Sequence, residues 1–407
     1  MDKEWVIDVI EEIAGFGRDD RGITRLAFTE ADSKARQYVI NLMKEIGLTV
    51  RTDQIGNVIA RLEGKDEHAP AVITGSHLDT VPEGGKYDGV VGVVGGLAAI
   101  KRLKARGALT HPVELLIFAG EESSRFGYAT IGSKAMTGVA NINALSKARD
   151  HEGNKLIQVL ADQGFDLKLI NNALRDKNDI KAFIELHIEQ GKILERAGCP
   201  IGIIEAIAAP TRCKITVEGI AAHSGTTPMD ERQDALVSAA MIILAIQEIA
   251  LEQSHDNTVA TVGALKVHPD AINVIPGLVE MWVDIRGISH ESIIESLQEL
   301  KDAVSTIADA QDTPVSIEIL SAEKPVIMNS GIVEIIEDVC HEHRVNYKRM
   351  NSGAGHDAMN MTRLTPTGMI FIPCHQGISH NPDEYASPQD IIAGIDILTE
   401  TLYRLAK

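Results

Sequence analysis

A rhythm before about residue 208 constrains this chain more than any other feature. Short apolar runs bounded by glycine alternate with helical patterns: Ala71–Thr74, a helix from about Val90 to Arg106, then Val113–Ala119. Strand, helix, strand in that order predicts a largely parallel sheet covered by helices. From Cys213 the order changes. The runs Cys213–Val217, Ala235–Glu252, Thr258–Val267, Leu278–Ile285, Ser289–Ile307 and Pro314–Leu320 read β-α-β-β-α-β, a ferredoxin-like unit. After about residue 323 the first rhythm resumes, with a helical Gly331–His343 and an apolar Gly368–Pro373. Residues 1–208 plus 323–407 are therefore expected to form one α/β domain on a mostly parallel sheet, interrupted by an inserted α+β domain over 209–322. Two domains suit a length of 407 residues.

Composition narrows the class. With 44% hydrophobic residues the chain has the apolar surface for packed cores. Its 39 Lys+Arg against 58 Asp+Glu leave a net charge of −19, a balance that disfavours nucleic acid and anionic membranes as partners. The excess is uneven, since residues 209–322 hold six Lys+Arg and seventeen Asp+Glu. The most apolar helical stretch, Ala235–Ile246, is shorter than the roughly 20 residues that cross a bilayer. The N-terminal MDKEWVIDVIEEIAGFG carries acids where a secretory signal needs basic residues, so it predicts an amphipathic first helix. Cys199, Cys213, Cys340 and Cys374 show no CxxC spacing, which fits a reducing compartment without a disulfide framework. The expectation is a soluble, cytoplasmic protein.

Ligands of open α/β sheets bind beyond the carboxyl ends of the strands, and there the polar residues converge. Ala71–Thr74 runs into GSHLDT, with His77 and Asp79, and Asp88 follows in GGKYDG. Val113–Ala119 runs into GEE, with Glu121 and Glu122. In AFIELHIEQG, alternation puts Glu185, His187 and Glu189 on one face. Gly368–Pro373 runs into CHQGISHNPDE, with His380 in the loop. Three imidazoles and several carboxylates at one sheet edge are costly unless a positive charge neutralises them, so a metal centre is expected. Mixed nitrogen and oxygen ligands without thiolate suit Zn²⁺, Mn²⁺, Co²⁺ or Ni²⁺. Five ligands suit two ions sharing a carboxylate better than one tetrahedral zinc. Asp79, two residues after His77, is placed to orient that imidazole. Of Glu121 and Glu122, one is free to bind metal while the other takes a proton from a bridging water; spacing alone does not order them.

Eight motifs in this order, GSHLDT, GGKYDG, GEESSRF, ELHIEQG, AHSGTTPM, NVIPG, SGAGHD and GISHNP, resemble the amidase/hydantoinase/carbamoylase branch of the dinuclear-metal aminoacylase and carboxypeptidase family. The resemblance runs from about Thr24 to the C-terminus. It implies that His77, Asp88 and His187 hold one divalent ion, with Asp88 bridging, and that Glu122 and His380 complete a second. It makes Glu121 the general base, which activates the water between the ions and then protonates the leaving nitrogen. His223, in the inserted domain, is similar to a family histidine that stabilises the oxyanion, often in the partner subunit's site, which implies a homodimer joined through that domain. Arg286 and Asn273 match positions that grip the substrate carboxylate, a task suited to a guanidinium fork. Gln190, Arg212, Gly355 and His356 resemble further substrate contacts.

The branch implies cleavage of a ureido or carbamoyl C–N bond rather than a peptide bond. SRFGYATIGSKAMTG and GISHNPDEY look more like N-carbamoyl-L-amino acid hydrolases than allantoate amidohydrolases, which stand next. β-Ureidopropionase, aminoacylase or dipeptidase activity is a more distant alternative. A catalytically silent binding protein of the same fold would have lost the base or a ligand, and here all are present.

Overall fold

The computed structural model describes residues 3–107, 109–256 and 258–407. It divides into two compact units: a larger one made of the chain up to Glu205 with Met328–Met350 and His356–Lys407, and a smaller one made of Ala206–Ile327 with Asn351–Gly355. The smaller unit is thus wider than 209–322 and takes in residues 351–355, which the sequence pattern assigns to the larger domain. Hydrogen bonds explain the difference. The Ala208 amide donates to the Ser352 carbonyl at 2.8 Å, and Arg286 Nη1 donates to the Gly353 carbonyl at 3.2 Å.

The principal strands are β1 (Thr49–Thr52), β2 (Val58–Leu62), β3 (Ala71–His77), β4 (Val113–Phe118), β5 (Ile180–Ile188), β6 (Ala209–Glu218), β7 (Val259–His268), β8 (Leu278–Gly287), β9 (Val315–Ala322) and β10 (Thr367–Ile372). The long helices are α1 (Lys3–Gly15), α2 (Glu30–Glu45), α3 (Val90–Arg106), α4 (Ala235–Glu252), α5 (His290–Gln311), α6 (Ser330–His343) and α7 (Pro388–Ala406).

In the larger unit the sheet runs β10-β5-β3-β4-β2-β1. Its centre, β10, β5, β3 and β4, is parallel. The flanks are antiparallel: β2 and β1 on one side, and Ile201–Ile207 against β10 on the other. Strands β3, β4 and β10 are buried along their whole lengths, which is why each reads as a continuous apolar run rather than an alternation. β3 extends to His77, beyond the expected end at Thr74, because its pairing with β4 continues through Gly75, Ser76 and His77. The metal-ligating residue types therefore begin on the strand itself rather than in a loop. Helix α3 starts one residue after Gly89 and is buried through nearly all of its first three turns.

The smaller unit is a four-stranded antiparallel sheet ordered β7-β8-β6-β9. Helices α4 and α5 pack on it around Cys213, Ile215, Val217, Ile242, Val279, Met281, Ile293 and Leu300. Helix α4 spans Ala235–Glu252 as the element order predicts, 18 residues of mean hydropathy 1.8. Ala235, Ser238, Ala239, Ile242 and Ile246 are buried, so it is a core helix of this unit; Val237, Met241, Leu244 and Leu251 remain exposed.

Candidate metal centre

The site is built from the strand ends of the larger unit. His77 closes β3 and His187 lies on β5, its parallel neighbour; their ring centroids are 6.0 Å apart. His77 Nδ1 lies 2.9 Å from the Asp79 carbonyl oxygen, and His187 Nδ1 lies 2.9 Å from that of Ile188. Carbonyls only accept, so both rings carry hydrogen on Nδ1 and present the Nε2 lone pair inward. The Gly89 amide donating to His187 Nε2 at 3.2 Å agrees with that tautomer.

Asp88, on the turn before α3, stands between two groups of donors. Its Oδ1 is 3.4 Å from His77 Nε2 and 3.2 Å from His187 Nε2. Its Oδ2 is 3.2 Å from His380 Nε2, which in turn lies 3.3 Å from Glu122 Oε1. Two ligand groups share Asp88, His77–Asp88–His187 and Asp88–Glu122–His380, and a third, Glu185–His187–His356, shares His187; in each the donor atoms lie within 4.8 Å of one another. Glu121 belongs to none of them: its Oε2 lies 3.9 Å from His77 Nε2. The donor set is nitrogen and oxygen without sulfur, which fits borderline divalent ions. The backbone is shaped for close approach as well. Gly89 has φ +69°, and a Cβ there would meet the His77 ring at 2.5 Å. Gln190 and His380 hold positive φ of 58° and 54°, the kind of strain that concentrates at functional sites.

Burial alone would raise the Asp88 carboxyl, yet the facing imidazoles of His187, His380 and His77 hold it well below the usual carboxylate range. Hydrogen bonds to Asp88 and Glu122 push His380 up to about 10. Burial pushes Glu121 well above its ordinary value, with Glu122, Asp357 and Asp79 adding repulsion. Burial and neighbouring His187, whose ring meets that of His356 edge-on at 4.5 Å, hold His356 well below its ordinary value.

Asp79 touches His77 through its backbone carbonyl, not through the carboxylate that sequence spacing suggests; the carboxylate stands 3.9 Å from Nδ1. Instead it accepts from the amides of Glu121 and Glu122 at 3.3 and 2.9 Å, because the turn after β4 comes alongside the turn after β3. Glu185 accepts from Ser76 Oγ and the Ala358 amide, both at 2.9 Å. Glu189 caps the short helix Ile193–Ala197 through the amides of Ile193 and Leu194. Gln190 Nε2 donates to Asp88 Oδ2 at 2.6 Å.

The other expected substrate residues are carried by the smaller unit. His223 pairs with Val274 in a two-stranded ribbon, and the Ser224 amide donates to the Asn273 carbonyl at 3.1 Å. Arg212 and Arg286, on adjacent strands β6 and β8, both bond Asp284, at 3.3 Å and 3.0 Å. Gly355 is exposed in the segment that this unit recruits. Sequence reasoning missed Glu384, Ser379 and Asp357. The signal for the first two was their closeness to His380; Asp357 directly follows His356.

Residues 73–404 match the model of peptidase family M20/M25/M40. The chain belongs to this family. It is 38% identical to an N-carbamoyl-L-amino acid amidohydrolase of Geobacillus stearothermophilus, across 95% of this chain and 94% of that one. It is 37% identical to a ureidoglycolate hydrolase of Arabidopsis thaliana, across 100% and 87%, and 36% identical to an allantoate amidohydrolase of Escherichia coli K12, across 99% and 98%. A crystal structure of a hydantoinase/carbamoylase family amidase from Burkholderia multivorans superposes with a TM-score of 0.90 at 35% identity, covering 100% of this chain and 98% of that one. This M20-family chain is thus a hydrolase of the amidohydrolase type.

Proposed function

We propose that the protein hydrolyses the ureido C–N bond of N-carbamoyl-L-amino acids with two divalent metal ions per subunit, Zn²⁺ or Mn²⁺, with Co²⁺ or Ni²⁺ also suited to the ligands. The observation that carries the two-ion reading is Asp88, one oxygen of which faces the imidazoles of His77 and His187 and the other that of His380. His77, Asp88 and His187 would hold one ion, and Asp88, Glu122 and His380 the other. Bound there, divalent ions supply Lewis-acid charge and a water acidic enough to lose a proton near neutral pH. Glu121, outside both ligand groups, takes that proton on its carboxylate and delivers it to the departing nitrogen. The ureido carbon gains the water oxygen and loses ammonia, and the carbamate that remains breaks down to the amine and CO₂.

On the smaller unit, His223 is the proposed donor to the developing oxyanion. Arg286 and Asn273 are the proposed grip on the substrate carboxylate, with Arg212, Gln190, Gly355 and His356 as further contacts. The Asp284 carboxylate accepts from Arg286 Nε and Nη2 and from Arg212 Nε, which fixes both guanidinium groups and leaves their other N–H donors for a substrate carboxylate. The apolar face of α4 left exposed at Val237, Met241, Leu244 and Leu251 supports a homodimer through this unit. The free thiols of all four cysteines support a cytoplasmic place of action.

Ammonia release is the decisive measurement, from a panel of N-carbamoyl-L-methionine, allantoate, ureidoglycolate and N-carbamoyl-β-alanine. Preference for the first is expected. Preference for allantoate makes this an allantoate amidohydrolase, the second reading, which the 36% identity to the E. coli enzyme favours. Failure on all four overturns the ureido assignment.

A further inference from the structure

The two ligand groups are supported differently, and one buried carboxylate outside both of them ties the less supported one down. Glu384 is 3% exposed. Its Oε1 accepts from the backbone amides of Tyr87 and Asp88 at 2.8 and 3.0 Å, and its Oε2 accepts from Ser379 Oγ at 2.8 Å. Ser379 Oγ also lies 3.0 Å from Asp88 Oδ2, the oxygen that faces His380. Gly85 leaves the room: a Cβ at that position would sit 2.4 Å from Glu384 Oε1. Around this carboxylate, the Tyr385 ring meets Tyr87 edge-on at 5.9 Å, and the His375 amide closes the loop onto the Tyr385 carbonyl at 2.8 Å.

We propose that Glu384 is a positioning residue that clasps the Asp88 turn to the His380 loop and thereby sets the affinity of the second, more exposed metal position. This rests on the two-ion reading above. Three donors of the protein occupy the Glu384 carboxylate, so it orients ligands rather than binding metal itself. His380 has no strand beneath it, and its side chain is 48% exposed; the clasp is what holds its loop against Asp88. His77 and His187 stand on paired strands and do not need it. Carboxylates that hold metal ligands in this indirect way are worth about 10- to 100-fold in metal affinity.

The test is Co²⁺ titration of the full-length chain after chelation, following the visible absorption of bound cobalt and the bound stoichiometry by equilibrium dialysis. Wild type is expected to take two ions. Glu384→Ala is expected to weaken the second at least about tenfold more than the first. Glu384→Gln keeps an oxygen for the two amides, and is expected to fall between the two. Circular dichroism of the metal-free chains checks folding; if the alanine variant does not fold, the glutamine variant must still show the selective loss. Equal weakening of both ions marks a merely structural role and overturns the proposal, as does wild-type binding of both. A wild-type chain that takes fewer than two ions overturns the two-ion reading, and this proposal with it.

Discussion

His77 and His187 stand on neighbouring strands of a buried parallel sheet, with each Nδ1 fixed by a backbone carbonyl. His380 stands on a loop at positive φ, half exposed, and is kept in place by side chains of other loop residues. The two halves share Asp88 yet differ in what builds them. Backbone hydrogen bonds of a central sheet form one half, so its geometry comes with folding itself. The other half needs a chain of side-chain contacts that closes only after two distant turns meet. The difference assigns each half a separate vulnerability: the strand half through folding, and the loop half through exchange of its ion.

The adjacent glutamates break this comparison most sharply, since one belongs to the loop half and the other to neither. Glu121→Gln is expected to keep its bound metal while kcat falls by roughly 10²- to 10⁴-fold, the usual worth of a positioned general base. Glu122→Gln is expected to lose metal, with part of its activity restored by excess ion. Metal content by elemental analysis alongside kcat decides it; the reverse pattern would exchange base and ligand. The histidines come next. His380→Ala is expected to retain close to one ion per chain after desalting, whereas His187→Ala loses the tightly held one. Equal loss from both variants would erase the distinction between the halves.

Residues of both halves were legible. An apolar run followed at once by His or Glu marks a strand end at a sheet edge and pointed to His77, Glu121 and Glu122; alternation in AFIELHIEQG pointed to His187, and the loop after Gly368–Pro373 to His380. The inserted unit was legible from element order alone, because its strands alternate over one covered face. What stayed hidden depends on turns meeting from far apart in sequence. Glu384 lies 297 residues from Tyr87, and no local pattern tells an acid that clasps another turn from one that faces water. Asp79 does meet the imidazole two residues away, but through its backbone carbonyl, while its carboxylate reaches across to amides 42 and 43 residues on. Residues 351–355 begin within the strand Tyr347–Ser352, whose first residues belong to the larger unit, and only hydrogen bonds to Ala208 and Arg286 reveal where they pack.

Strand support without burial is found at Arg286. Like His187 it stands on a paired strand, but its side chain is 34% exposed and pairs with Asp284 at 3.0 Å. Arg286→Ala is expected to raise KM for carboxylate-bearing ureido substrates about 10- to 100-fold, in line with loss of a charge-assisted hydrogen bond, and to change kcat much less. An unchanged KM removes Arg286 from the carboxylate grip.

The last expected effect is on stability alone and comes from the packing behind the strand half. Asp357 accepts from Ser133 Oγ at Oδ1, and its Oδ2 has no partner among the described residues. Burial, with Glu185 adding repulsion, pushes this carboxyl up from 3.8 to about 8. The folded chain therefore binds a proton between those values that the unfolded chain has lost, so this contribution to stability is fully present below about pH 4 and disappears as pH rises through about 8. Asn cannot ionise, so Asp357→Asn should show no such loss. Melting temperatures of the metal-free chains are expected to be similar near pH 5, with the variant higher near pH 9. Two divalent ions nearby would favour the ionised form and lower the carboxyl's pKa, so loading the site should shrink the gap. If the two melting curves keep the same separation at both pH values, Asp357 is ionised throughout, and the packing behind His187 is less dry than its burial implies.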